Sequence, residues 1–211
     1  MYDRTTTLDA FLSAAAGKQP TPGGGSVAAL AGALAASMGE MVVNYSVGKK
    51  SLAQFEPELR EALAEMTRAR LLLLQLMVED QVAYEALTAA RKLPETSPTR
   101  QNDFDVALLA SIRVPQAMGA TALAMLELAD RLVEKVNAYL LSDLAVSCEL
   151  AMATVRCAIC NIRANVPDLI DSRDRTHTEA TAQHLLTEAT AVVRRAVPKI
   201  WSRHAAAQSG M

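Results

Sequence analysis

The sequence predicts an all-α fold: a single-domain bundle of about six helices, some of them long, spanning residues 1–211. Three observations predict it. Ala, Leu, Glu and Arg dominate, and strand-type alternation is nearly absent. Apolar residues recur at helical spacing. Gly, Pro and capping residues cut the chain into long stretches, and no linker between them is long enough to separate domains.

The first helix is predicted over 7–16, with Leu8, Phe11, Leu12 and Ala15 on one face and Gly17 as its stop. A loop with two prolines and three glycines follows over 18–25. Ser26, a good N-cap, opens a second helix that reaches Val47 before Gly48. Pro57 suits a first turn and opens a third helix to Lys92, about 54 Å long if unbroken. Leu93-Pro94 ends it. A fourth stretch over 103–136 should kink at Pro115. Ser142 caps a fifth helix to Asn165, which Pro167 blocks, and a sixth runs over 178–201 with Pro198 bending or ending it.

Composition narrows the function. Of 211 residues, 51% are hydrophobic and 21% charged, ample for a packed core. Twenty-one Lys and Arg against 23 Asp and Glu give a net charge of −2, and aromatics are 4%. A nucleic-acid footprint wants a basic surplus and stacking platforms, so nucleic acid is not an expected partner. Three cysteines cannot all pair, and the polar start of the chain has no apolar signal region, so a cytoplasmic protein is expected. Residues 27–39 carry no charge, but they are mostly Ala, Gly and Ser, and Glu40 interrupts them. They read as a buried helix, not a membrane span. Within it Ala28, Gly32 and Ala36 recur four apart, as do Ala35 and Gly39. That texture suits tight core packing and would equally suit a dimer seam.

Chemistry is concentrated at a few places. The segment Pro20-Thr21-Pro22-Gly23-Gly24-Gly25-Ser26 opens a helix, so its backbone N–H groups are placed to hold an anion or a carbonyl oxygen. No Gly-Lys-Ser/Thr follows and no strand precedes, which excludes a P-loop and a dinucleotide fingerprint. Three glycines in a row imply close backbone approach, either of a ligand or of another helix. Lys49 and Lys50 follow the second helix. They complement its negative end, or serve as a proton donor or an anchor for a carboxylate tail. Glu79-Asp80 sits on a helix whose apolar residues wrap most of the circumference, and Asp80 shares a face with Tyr84. One acid is expected to point into a pocket, where desolvation raises its pKa.

On the fifth helix Asp143 and Asn161 are 18 residues apart, five turns, so they share a stripe with Ser147, Thr154 and Asn165. The stripe is either a solvated face or a component of a site. Its ends lie about 27 Å apart, beyond one small site in one subunit, whereas antiparallel helices of a dimer would bring one end near the other end of the mate. Cys157 and Cys160 have C-x-x-C spacing inside a predicted helix. Zinc needs four ligands, and His177, His184 and His204 show no ligand spacing, so a core cysteine cluster without metal is expected.

Residues 20–34 with Gly48-Lys49-Lys50, then 79–87, Lys92-Leu93-Pro94, 142–146 and 161–165, resemble in order the cyclodeaminase/cyclohydrolase family of folate one-carbon metabolism. The resemblance covers about residues 8–170. It implies an all-α homodimer binding folate near the dimer interface, with no metal or redox cofactor. It also implies action on the carbon bridging N5 and N10 of tetrahydrofolate: hydration of the methenyl form to 10-formyl-tetrahydrofolate by a cyclohydrolase, the favoured activity, or ammonia release from the formimino form by a cyclodeaminase. In that setting Asp80, with Asp143 second, is the expected carboxylate beside the cationic bridge, and Lys49 or Lys50 the expected proton donor or tail anchor. Asn161 and Asn165 are expected to donate to pterin or carbonyl oxygens. Gly23, Gly24, Gly25, Ser26 and Tyr84 complete the expected binding surface. The family pattern Glu-Lys-Gly-Asn-x-Asn is altered here to Glu134-Lys135-Val136-Asn137-Ala138-Tyr139. That departure motivates a competing expectation, a folate-binding or assembly protein without catalysis.

Overall fold

A computed structural model describes residues 1–209. Six α-helices follow in order: α1 (Leu8–Ala16), α2 (Gly24–Asn44), α3 (Glu56–Lys92), α4 (Arg100–Leu132), α5 (Leu141–Asn165) and α6 (Ser172–Ser209). Among the described residues there is no strand. Short 3₁₀ turns at Lys50–Phe55, Ala138–Leu140 and Val166–Asp168 join the longer helices.

Helix α2 lies between α3 and α5 and runs antiparallel to both. Its small residues explain that position. Ala28, Ala29, Ala35 and Ala36 are buried. A Cβ on Gly32 would meet Leu73 of α3 and Thr154 of α5 at 3.0 Å, and one on Gly39 would meet Met66 at 3.0 Å. The small-residue texture therefore belongs to the core and offers no free seam. What α2 leaves outside is a different stripe, with Val27, Leu34 and Tyr45 about half exposed and Met38 and Met41 less so. The polar stripe of α5 also faces inward. Ser147 and Thr154 are buried, and the Ser147 hydroxyl donates to the Ala35 carbonyl at 2.8 Å.

Several boundaries differ from expectation. Gly23, not Ser26, is the N-cap of α2, because the Ser26 hydroxyl is engaged across the helix pair. Helix α2 ends at Asn44, and Gly48 turns the chain at φ 76, in the left-handed region that glycine alone enters freely. Leu140, not Ser142, precedes α5, while Asn137 caps the 3₁₀ turn before it. Helix α6 starts at Ser172, where Asp171 Oδ1 accepts from the Arg173 N–H at 2.7 Å. It continues through Pro198 because Ala196 and Ile200 are buried on either side of it. Helix α4 likewise runs unbroken through Pro115. Only Cys148 joins the core, where burial pushes its thiol up to about 12; Cys157 and Cys160 are exposed on the outer face of α5. By length and composition alone α2, α4 and Ala138–Asp168 would each reach across a membrane, with 56%, 44% and 56% of their apolar windows buried in the bundle.

Candidate active site

The antiparallel register brings the start of α2, the middle of α3 and the end of α5 to one end of the bundle. There a cavity of about 200 Å³ is lined by Gly23, Gly24, Gly25, Asp80, Tyr84 and Asn161, with Asn165, Thr88, Arg91 and Pro115 completing its walls. The first N–H groups of α2 open towards it, with the positive end of the helix dipole.

Asp80 is the one carboxylate among the described residues lining this cavity. Its Oδ2 accepts from the Ser26 hydroxyl at 2.9 Å. A Cβ built on Gly25 would fall 1.9 Å from Asp80 Oδ1, so only glycine there admits the carboxylate. Burial pushes the carboxyl above the usual carboxylate range, while the Ser26 hydroxyl and backbone N–H pull in the opposite direction. Glu79 points the other way, into a separate groove of about 750 Å³ between α3 and α4 that is lined mostly by Ala and Val. That groove is larger, but Glu79, Asn102 and Asp103 are the polar side chains lining it. The smaller cavity holds the convergent polar groups, which is what a reacting site needs.

The two asparagines are held by backbone. Asn161 Nδ2 donates to the Cys157 carbonyl at 2.8 Å. Asn165 Nδ2 donates to the Asn161 carbonyl at 3.0 Å and to the Ser111 carbonyl at 3.2 Å. The last bond has a simple cause. Pro115 has no N–H to give to the carbonyl four residues before it, so Ser111 is left open and Asn165 fills it. Asn165 Nδ2 has both of its N–H groups engaged and offers its amide oxygen, whereas Asn161 Nδ2 keeps a second N–H beside its own amide oxygen. The donor role expected from sequence stays open to Asn161, while Asn165 is placed to accept.

Lys49, Lys50 and Asp143 are not brought here. They lie at the opposite end of α2 and α5, where Ser46 Oγ accepts from the Asn137 N–H at 2.9 Å. Lys49 Nζ sits 6.0 Å from the centroid of the Tyr139 ring, so the altered residue at the end of the Glu134–Tyr139 segment packs beside that lysine. Sequence reasoning passed over Thr88, Arg91, Ser111 and Pro115. Arg91 was within reach, since 11 residues after Asp80 is three helical turns and the same face.

Comparison with known proteins decides the family. The formiminotransferase-cyclodeaminase family model matches residues 7–184. The chain belongs to the formiminotransferase-cyclodeaminase family. Within it, the chain is 31% identical to the methenyltetrahydrofolate cyclohydrolase of Methylorubrum extorquens, over 93% of this chain and 97% of that protein. It is 31% identical to the formimidoyltransferase-cyclodeaminase of Gallus gallus over 88% of this chain, but spans only 35% of that longer protein. The crystal structure of formiminotetrahydrofolate cyclodeaminase from Thermotoga maritima superposes with a TM-score of 0.86 at 26% identity, covering 93% of this chain and 96% of that one.

Proposed function

We propose that this chain is a methenyltetrahydrofolate cyclohydrolase, with Asp80 moving the proton. The observation that carries the reading is one largely buried carboxylate, held above its ordinary pKa, beside the glycine opening of α2. The match to the Methylorubrum cyclohydrolase along nearly the whole of both chains supports it. The methenyl bridge is a delocalised cation, which a carboxylate stabilises electrostatically. Water oxygen bonds to the bridging carbon as Asp80 takes one of its protons. The adduct then collapses: the carbon–N5 bond breaks, N5 takes the proton from Asp80, and the second water proton leaves to solvent. Asp80 carries one proton and solvent takes the other, so the proposal calls on no metal or redox cofactor.

The likeness to the Thermotoga cyclodeaminase over nearly the whole of both chains favours a second reading. There N10 attacks the formimino carbon, and the same carboxylate carries the N10 proton to the leaving amine. Incubation with each substrate separates the two. Loss of methenyl absorbance faster than in buffer identifies the cyclohydrolase, ammonia release from 5-formimino-tetrahydrofolate identifies the deaminase, and neither reaction would leave a folate-binding protein.

We place the enzyme in the cytoplasm as a homodimer, without nucleic acid or membrane among its partners. The exposed apolar edge of α2, from Val27 through Leu34 to Tyr45, suits a two-fold seam. Antiparallel pairing of that edge would carry Lys49 of a second copy across about 30 Å, the length of α2, to the glycine end of the first. Lys49 and Asp143 would then act from the neighbouring subunit.

A further inference from the structure

We infer that Arg91 and Arg100 form a subsite for the glutamate tail of the folate, at the turn between α3 and α4. The inference rests on the folate reading above and deepens it.

The cavity around Asp80 holds about 200 Å³, below the roughly 300–1,000 Å³ usual for small-molecule sites. It is sized for one end of a folate. The remainder needs a path outward, and α3 supplies one. Asp80, Tyr84, Thr88 and Arg91 follow one face of the helix, and Arg91 lies about 16 Å along the axis from Asp80. A benzoyl ring, an amide and a glutamate extend over that range. Arg91 also lines a second cavity of about 490 Å³, shared with Glu95, Ser97, Arg100, Phe104 and Ile170. The two cavities therefore share Arg91 in their walls.

Both arginines keep donors in reserve. Among the described residues, Arg91 gives only Nη2, to Asp168, and that pair is half exposed. Arg100 makes no side-chain hydrogen bond among them; its nearest acid, Glu95, is 3.7 Å away and 93% exposed. Exposed ion pairs of this kind are weak and readily exchanged. A guanidinium carries five N–H donors in a fork that fits a carboxylate bidentately. A tail carboxylate can thus share or displace Asp168 at Arg91, and a further glutamate would reach Arg100. Phe104 and Ile170 offer apolar surface to the tail's methylenes. In this arrangement the tail is anchored within one chain, at the end remote from that chain's Lys49 and Lys50.

The test compares methenyl-tetrahydropteroate, which lacks glutamate, with the mono- and triglutamate forms of methenyltetrahydrofolate. For the unaltered protein KM should fall at least tenfold from pteroate to triglutamate. In Arg91→Gln the rise in KM should scale with glutamate number, largest for the triglutamate, with Arg91→Lys recovering some of the loss. Arg100→Gln should act chiefly on the triglutamate. Asp168→Asn, by releasing Arg91, should lower KM for the glutamylated forms, whereas a merely structural Arg91–Asp168 pair predicts the reverse. Equal KM changes for all three compounds in Arg91→Gln, or no discrimination by the unaltered protein, would overturn the inference. If none of the three is turned over, the catalytic reading fails; the same comparison by equilibrium binding then decides the subsite by the same ratios.

Discussion

Asp80 sits where its own charge is disfavoured. Burial raises its pKa, so in the fold the protonated form is favoured relative to the unfolded chain. The contribution to stability is therefore present below the ordinary carboxylate value and is lost as pH rises through the raised folded value. Asp80→Asn keeps an acceptor for Ser26 and removes the desolvated charge. At neutral pH it should melt no lower than the unaltered protein, with any gain vanishing in acid, as scanning calorimetry across pH would read. Ser26 acts in the opposite sense, pulling the carboxyl down. Ser26→Ala should therefore move the acid limb of the kcat/KM profile to higher pH, because the free-enzyme base then binds its proton more tightly. A limb that stays in place would separate that titration from Asp80.

At the level of elements, the site exists because α2 is made of small residues. Glycine at 25 lets α2 and α3 close to the point where Asp80 Oδ1 occupies the space of a missing Cβ. Gly25→Ala should leave the helical circular dichroism in place and lower turnover by about tenfold or more, since an ångström of misplacement is costly at a reacting centre. Retained activity would show that the carboxylate can move without consequence. Much of this was legible from one dimension: Gly23 to Gly25 as close approach, Asp80 with Tyr84 on one face, Asn161 with Asn165 on one stripe. Helical arithmetic suffices for residues on a single helix. It failed where a neighbour decides. Ser26 looks like a cap until Asp80 is seen opposite, the inward turn of Ser147 and Thr154 depends on Gly39 and Gly32 across the interface, and the amide orientation of Asn165 depends on Pro115 in α4. Proline at 198 reads as a bend or an end because the packing of Ala196 and Ile200 is invisible in sequence.

The molecule as a whole has two polar ends, one with Asp80 and the glycine turn, the other with Lys49 and Asp143, joined by the length of α2. If the active site is shared between two copies, mixing Asp80→Asn with Lys49→Ala, each inactive alone, should restore activity. Random pairing makes half the dimers mixed with one intact site each, so about a quarter of the unaltered rate is expected, read after co-refolding. No recovery would confine the site to one chain. If the exposed edge of α2 is the proposed seam, Leu34→Asp should lower the mass read by light scattering from that of a dimer to that of a monomer. Asp80 remains the group on which residue, element and assembly converge. The decay of methenyl absorbance with purified Asp80→Asn, checked to be folded and to have the mass of the unaltered protein in solution, tests it most directly. The rate should fall by about two orders of magnitude or more, as for a lost proton-transfer group; turnover equal to that of the unaltered protein would contradict the role given to this carboxylate.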